Sequence, residues 1–319
     1  MLTLRQLLIA SAASVVAYLL VFVFIVYKPM TVGIYGDYLN LKIRYLAAHA
    51  DDQKIVILAG SNGRFSHRCE VIEKIAKLPC ANMSIAGGLS LPWQLSLYKQ
   101  YFRRGDLLYL PVEYRAHGNY HSVGEEAYYR VEYERGGLAD LSPSDALHTF
   151  FGFDIRFLVS AVGEMALWHA GVQRRFSVDT LTPQGDEQGH GETRAGAYKG
   201  LIAQLTVPEI SEAGFVSESD WTDVVEILEW ARTAGVRVVG GLPTVVDEAS
   251  IPTNVIPFLR HLYSSHGQCF LALPNRSRYP RSYFYDSLYH LSETHQVAHS
   301  ELLAPYLAEI AKTGRCPAP

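Results

Sequence analysis

This sequence of 319 residues predicts an α/β fold: a three-layer α/β/α sandwich around a mainly parallel sheet, preceded by one N-terminal transmembrane helix. Three observations carry that expectation. Short, fully apolar, β-branched runs end at glycine or proline, as strands buried on both faces do. Segments of helical periodicity lie between them, and strands alternating with helices imply a parallel sheet covered on both sides. One long run near the N-terminus carries no charge at all. With 49% hydrophobic and 19% charged residues the chain is expected to fold. A formal net charge of -4 offers no basic field for phosphate backbones, so nucleic acid is not an expected partner.

In chain order, Leu7–Tyr27 comes first. At 1.5 Å rise per residue such a run crosses a hydrocarbon core of roughly 30 Å. No A-x-A-like cleavage site follows Tyr27, so the run reads as an uncleaved anchor, residues 1–30 forming a cytoplasmic tip and membrane helix. Arg5 lies on one side of it and Lys28 on the other, so flanking charge does not orient it. Residues 31–319 form the α/β domain, whose candidate strands are KIVILAG ending at Gly60, ANMSIAGG (Ala81–Gly88), DLLYLPV (Asp106–Val112), VRVVGGLP (Val236–Pro243) and CFLALP (Cys269–Pro274). The clearest helix is Ser217–Gly235, where Trp221, Val224, Val225, Leu228 and Ala231 recur at helical spacing, Ser217 or Ser219 can cap the start, and Gly235 can end it. Residues 116–216 break the alternation and read as an insertion, with a polar, glycine-rich surface loop around Gly185–Gly196 expected to be flexible. Cys69, Cys80, Cys269 and Cys316 are an even set compatible with disulfides in an oxidising compartment, Cys69 with Cys80 closing a short loop.

The segments that carry chemistry stand at the two ends of the α/β region: AGSNGRFS (Ala59–Ser66) and FYDSLYHLSETHQVAHSELLAPYL (Phe284–Leu307). A serine directly after a first strand, with an aspartate and a histidine close together ahead of a C-terminal helix, resembles the SGNH (GDSL-like) hydrolase superfamily, whose sheet is flavodoxin-like. The resemblance implies Ser61 as nucleophile, His290 as general base and Asp286 as the group that orients the histidine. A serine hydroxyl attacks poorly until an imidazole takes its proton, and the imidazole needs a fixed tautomer. NMSIAGG resembles the family's N-x-x-x-x-G block, which makes Gly87 an oxyanion donor beside the Ser61 N–H.

Two departures stand beside these matches. Where the family carries G-x-N-D the chain reads LPVEY, placing Glu113 where an asparagine would donate, so Asn62 is the expected substitute. Asp286 and His290 are separated by three residues instead of two, which a loop can absorb. The nearest resemblance is to the membrane-anchored branch that acts in cell-surface polysaccharide or teichoic-acid acylation. It implies a serine esterase or O-acyltransferase, with acetyl as the group moved, acting in the periplasm from the inner membrane on an envelope or exported polysaccharide such as cellulose or alginate. No cofactor is implied. The expected partners are an acylated carbohydrate, the membrane, and a polysaccharide synthase or acyl-donor membrane protein. The alternative is a catalytically degenerate subunit of a polysaccharide export complex.

Other groupings read more plainly. His290, His295 and His299 offer ring nitrogens, yet nothing completes a familiar metal spacing. His117 and His121 read as loop surface, and Trp93, Tyr114, Tyr120, Tyr128 and Tyr129 as core more readily than as sugar-stacking platforms.

Overall fold

The chain enters through α1 (Leu4–Leu20) and α2 (Met30–Ala48), then alternates: β1 (Ile55–Ile57), α3 (Ser61–Ser66), α4 (Cys69–Ala76), β2 (Cys80–Asn82), α5 (Leu91–Ser96) and β3 (Leu107–Leu110). Helices α6 (Pro143–Phe151), α7 (Ile155–His169) and α8 (Glu192–Gln204) interrupt the alternation. It resumes with α9 (Thr222–Ala234), β4 (Arg237–Gly241), β5 (Val245–Val246), α10 (Val255–Ser265), β6 (Cys269–Leu271), β7 (Arg278–Tyr279) and α11 (Glu293–Thr313). This computed structural model describes residues 3–21, 30–114, 126–127, 129–130, 142–151, 155–172 and 177–316. They fall into two units, one from residues 1–37 with 122–177 and one from residues 38–121 with 178–319. The interrupting segment 116–216 is thus divided between them.

In the second unit the main sheet runs β2-β1-β3-β4-β6, all parallel; four of its strands lie within apolar runs read from the sequence, while β2 (Cys80–Asn82) overlaps the run Ala81–Gly88 only at that run's first two residues. Side chains alternate across it as a pleated sheet requires. Val56, Leu108 and Val238 face one layer with Leu95, Leu228 and Leu259 of α5, α9 and α10. Ile57, Tyr109 and Val239 face the other with Ile72 of α4 and Leu303 and Leu307 of α11. Gly235 ends α9 in the left-handed conformation (φ 72°), as expected, while the start is a short 3-10 turn capped by Ser217. At the base of the sheet a buried Lys54–Asp106 ion pair (2.7 Å) joins the entries to β1 and β3. Two disulfides, Cys69–Cys80 and Cys269–Cys316, tie α4 to β2 and β6 to the short segment that follows α11.

In the first unit, Thr3 and Gln6 form a reciprocal capping box at the start of α1. No helix among the described residues is long and apolar enough to cross a membrane. The expected transmembrane helix is therefore not among the observed elements: α1 ends after 17 residues, and the run Leu7–Tyr27 continues from residue 22 outside the described residues.

The first part of the stretch expected to be a flexible surface loop, residues 185–190, is instead a largely buried strap, and from Glu192 the stretch continues as α8. Asp186, Glu187 and His190 are each almost fully buried. The Asp186 carboxylate accepts from the Cys69 N–H (2.8 Å) and from Asn82 Nδ2 (2.8 Å), and Arg64 pairs with Glu187 (3.3 Å). Lys42 of α2 donates to Asn82 O (2.6 Å) and to Gly185 O. Burial and the neighbouring Arg64 push its ammonium down to about 7. Polar, glycine-rich composition signalled a loop, but these polar groups face inward onto fixed partners.

Candidate active site

The site is built at the carboxyl ends of β1 and β3, where the strand order reverses and open α/β sheets place their ligands. After β1 the chain continues through Leu58, Ala59 and Gly60, all buried, and turns into α3 at Ser61. Gly60 is required by close approach: a Cβ there would strike the Glu113 carboxylate and come 2.6 Å from the Gly87 Cα. The backbone at Gly60 and Gly87, after β1 and β2, and the Glu113 side chain, after β3, therefore meet beside Ser61.

Across from them the loop Phe284–Leu291 presents two side chains. Its ends form an antiparallel bridge, and the Tyr285 N–H donates to the His290 carbonyl (2.8 Å), closing the loop on itself. Within that closed loop the additional residue between Asp286 and His290 is absorbed. Asp286 Oδ1 lies 2.6 Å from His290 Nδ1, and His290 Nε2 lies 2.9 Å from Ser61 Oγ. With the carboxylate accepting from Nδ1–H, Nε2 keeps its lone pair and accepts from the serine hydroxyl. The Asp286 and His290 side chains are 8% and 15% exposed, so the chain of hydrogen bonds is shielded yet open at the serine end.

Residues not singled out by sequence reasoning hold this geometry. Phe65, one turn after Ser61, stacks on the His290 ring at 4.3 Å between centroids and 16° between planes. Thr244 donates to the Tyr289 carbonyl (2.7 Å), and Ser66 to the same oxygen (3.2 Å), fastening the histidine loop to the end of α3. From α11, Gln296 Nε2 donates to the His67 (2.8 Å) and Arg64 (3.1 Å) carbonyls. His190 packs edge-on against Phe65, and burial pushes its pKa down to about 4, so it is neutral beside the triad at pH 7. The i, i+4 placement of Phe65 after Ser61 was the one signal that sequence could have used; the other contacts join segments distant in the chain.

The expected oxyanion donors separate. Gly87 is half-buried and stands against Gly60, one residue from Ser61. The Asn62 side chain is not turned to the site: it is 1% exposed, and its amide donates to the Pro111 carbonyl at 3.4 Å. As the residue after Ser61 it enters α3 on a buried side. Asn82 is likewise buried, donating to the Gly63 carbonyl (3.0 Å) and to Asp186. The half-buried Glu113 carboxylate lies against Gly60, in the space a side chain there would take.

Of the other histidines, His295 stacks on Tyr283 and bonds Ser292 (2.7 Å), while His299 is buried against Tyr279 (2.7 Å). Among the described residues no group of three or more histidine, cysteine, aspartate or glutamate side chains is placed to hold a metal ion. Trp93, Tyr114 and Tyr129 are buried; His117, Tyr120, His121 and Tyr128 lie outside the described residues. Comparison with known proteins finds no matching family profile, no matching curated protein and no matching solved structure.

Proposed function

We propose that this chain is a serine-dependent acyl-ester hydrolase or O-acyltransferase of the SGNH type. The observation that carries the reading is the hydrogen-bonded succession Ser61–His290–Asp286 at the carboxyl end of a central parallel strand. His290 takes the Ser61 proton as Oγ attacks the ester carbonyl, and Asp286 stabilises the imidazolium that forms. The Ser61 and Gly87 N–H groups face the developing oxyanion. His290 returns the proton to the leaving alcohol, leaving an acyl group on Ser61. Water then gives hydrolysis, and a sugar hydroxyl gives transfer.

The substrate class we favour is an O-acylated, most simply acetylated, envelope or exported polysaccharide such as cellulose or alginate. The catalytic unit would stand in the periplasm behind a single inner-membrane helix formed from the uncharged run Leu7–Tyr27. The two disulfides support an oxidising compartment. The test is hydrolysis of p-nitrophenyl acetate by the full chain, Ser61→Ala and His290→Ala. Activity lost in both variants supports the assignment; equal rates in all three overturn it.

A second reading rests on Glu113, whose carboxylate stands where an oxyanion donor would be needed. In that reading the fold is a catalytically degenerate, membrane-tethered subunit of a polysaccharide synthesis or export complex. A serine-reactive phosphonate separates the two: an adduct on Ser61 argues for catalysis, and glycan binding without an adduct argues for the subunit.

A further inference from the structure

The first unit shows a surface that the acyl-transfer reading leaves without a task. In α7 the residues Ile155, Val159 and Val162, at spacings of four and three, fall on one helix face and are 70%, 67% and 44% exposed. Ala161 alone among the residues of α7 is buried. In α6, Leu147 and Phe151, four apart, are 62% and 45% exposed. A run of large apolar side chains this exposed marks a surface that something else covers.

The occupant is identified by what adjoins it. Phe151 stacks on Tyr18 of α1, with ring centroids 5.5 Å apart and planes 23° apart. No residue of α1 is buried, and α1 holds the start of the uncharged run Leu7–Tyr27. The apolar surface of α6 is thus continuous with the helix proposed to lie in lipid. At 15 residues α7 extends about 22 Å, short of the roughly 30 Å hydrocarbon core, so it suits lying along a bilayer and not crossing it. Trp168 and Arg156, toward its two ends, are residue types that settle at headgroup level.

We infer that the exposed apolar face of α6 and α7 seats in the headgroup–acyl boundary of a phospholipid bilayer beside α1, making part of the interrupting segment a second membrane contact. The inference rests on the reading of α1 as a membrane helix, and the experiment separates the two. All four native cysteines are in disulfides, so a cysteine placed at Val159, Val16 or Lys199 is the one free thiol for an NBD fluorophore. The labelled full chain is reconstituted in phosphatidylcholine–phosphatidylglycerol vesicles with or without nitroxide-bearing lipid. The expected result is blue-shifted emission at Val159, quenched about twofold by nitroxide on the shallow acyl carbons, with Lys199 of α8 unaffected. Quenching at Val16 with water-like, unquenched emission at Val159 overturns the inference and leaves the anchor standing. Quenching at neither position overturns both, and quenching at Val159 alone supports the surface contact while removing the anchor. Blue-shifted but unquenched emission at Val159 means that protein, such as a second copy of this chain, covers the face, and also overturns the inference.

Discussion

Replacing Asp286 by asparagine changes one atom and reverses the hydrogen bond it makes. The aspartate accepts from His290 Nδ1–H; an amide presents its NH2 to the same nitrogen and moves the ring proton to Nε2, where it confronts the Ser61 hydroxyl with a donor. If the relay is catalytic, kcat/KM for p-nitrophenyl acetate should fall by about 10⁴ in Asp286→Asn with the fold unchanged. A loss of less than tenfold would mean that the aspartate is structural only. Glu113 tests the opposite side of the serine. Its carboxylate lies against Gly60, one residue before Ser61, where negative charge opposes an oxyanion and where one donor is worth about 10²–10³ in rate. Glu113→Gln keeps the shape and adds an N–H, so it should raise kcat by about tenfold or more, while Glu113→Ala should not. If both variants lose activity together, the carboxylate itself is needed. Ser61, Asp286, His290 and the Glu113 departure were all legible in the sequence, because each sits at a fixed offset from a strand end or a neighbour. That the Asn62 amide turns to Pro111 was not legible: side-chain direction is decided by a carbonyl just past β3, distant in the chain.

At the scale of elements, the five strands were readable because a strand buried on both faces must be apolar throughout, and glycine or proline marks its end. The strap was misread for the converse reason. Polar residues beside glycines signal a solvated loop unless partners elsewhere accept them, and the partners of Asp186 come from Cys69 and Asn82, more than a hundred positions earlier. The strap also meets α3, the helix that begins at Ser61, since Glu187 pairs with Arg64 and its N–H donates to the Arg64 carbonyl (3.1 Å). Asp186→Ala would leave the Cys69 N–H and one of the two Asn82 amide N–H groups buried without an acceptor and remove the countercharge near Lys42. It should lower the unfolding free energy by about 3–5 kcal/mol in urea denaturation and expose residues 183–191 to protease. A cost under about 1 kcal/mol, the range of a surface substitution, would return the strap to the status of a loose loop.

Across the sheet unit, the sequence pattern also conveyed the layering, yet it did not convey how much ionisable chemistry the interior holds. The two disulfides restrict the unfolded chain, by about 3 and about 4 kcal/mol for closures of 11 and 47 residues on the chain-entropy view. Stability gained that way does not depend on protonation. Buried histidines act differently. His67 is wholly buried between α3 and α11, donates through Nδ1 to the Gly63 carbonyl (3.0 Å), and faces the buried His299 ring at 5.1 Å. Burial pushes the His67 pKa down to about 4, and holds His299 well below the usual histidine value. In the unfolded chain a histidine takes up its proton near pH 6.5; in the folded chain His67 does so only near 4. Between those values the unfolded state binds more protons, so this contribution to stability is whole above about pH 6.5 and is lost as pH falls toward 4. At pH 4.5 the loss from His67 alone comes to about 2–3 kcal/mol. The buried Asp186 and Glu187 carboxyls, whose pKa values burial raises, oppose it, which makes the informative quantity a difference between variants. His67→Asn keeps a donor for Gly63 and cannot titrate. Its unfolding free energy, followed from pH 7.5 to pH 4.5, should decline by about 2–3 kcal/mol less than that of the wild-type chain; parallel declines would mean that His67 is protonated in the folded interior, with water or a carboxylate reaching it.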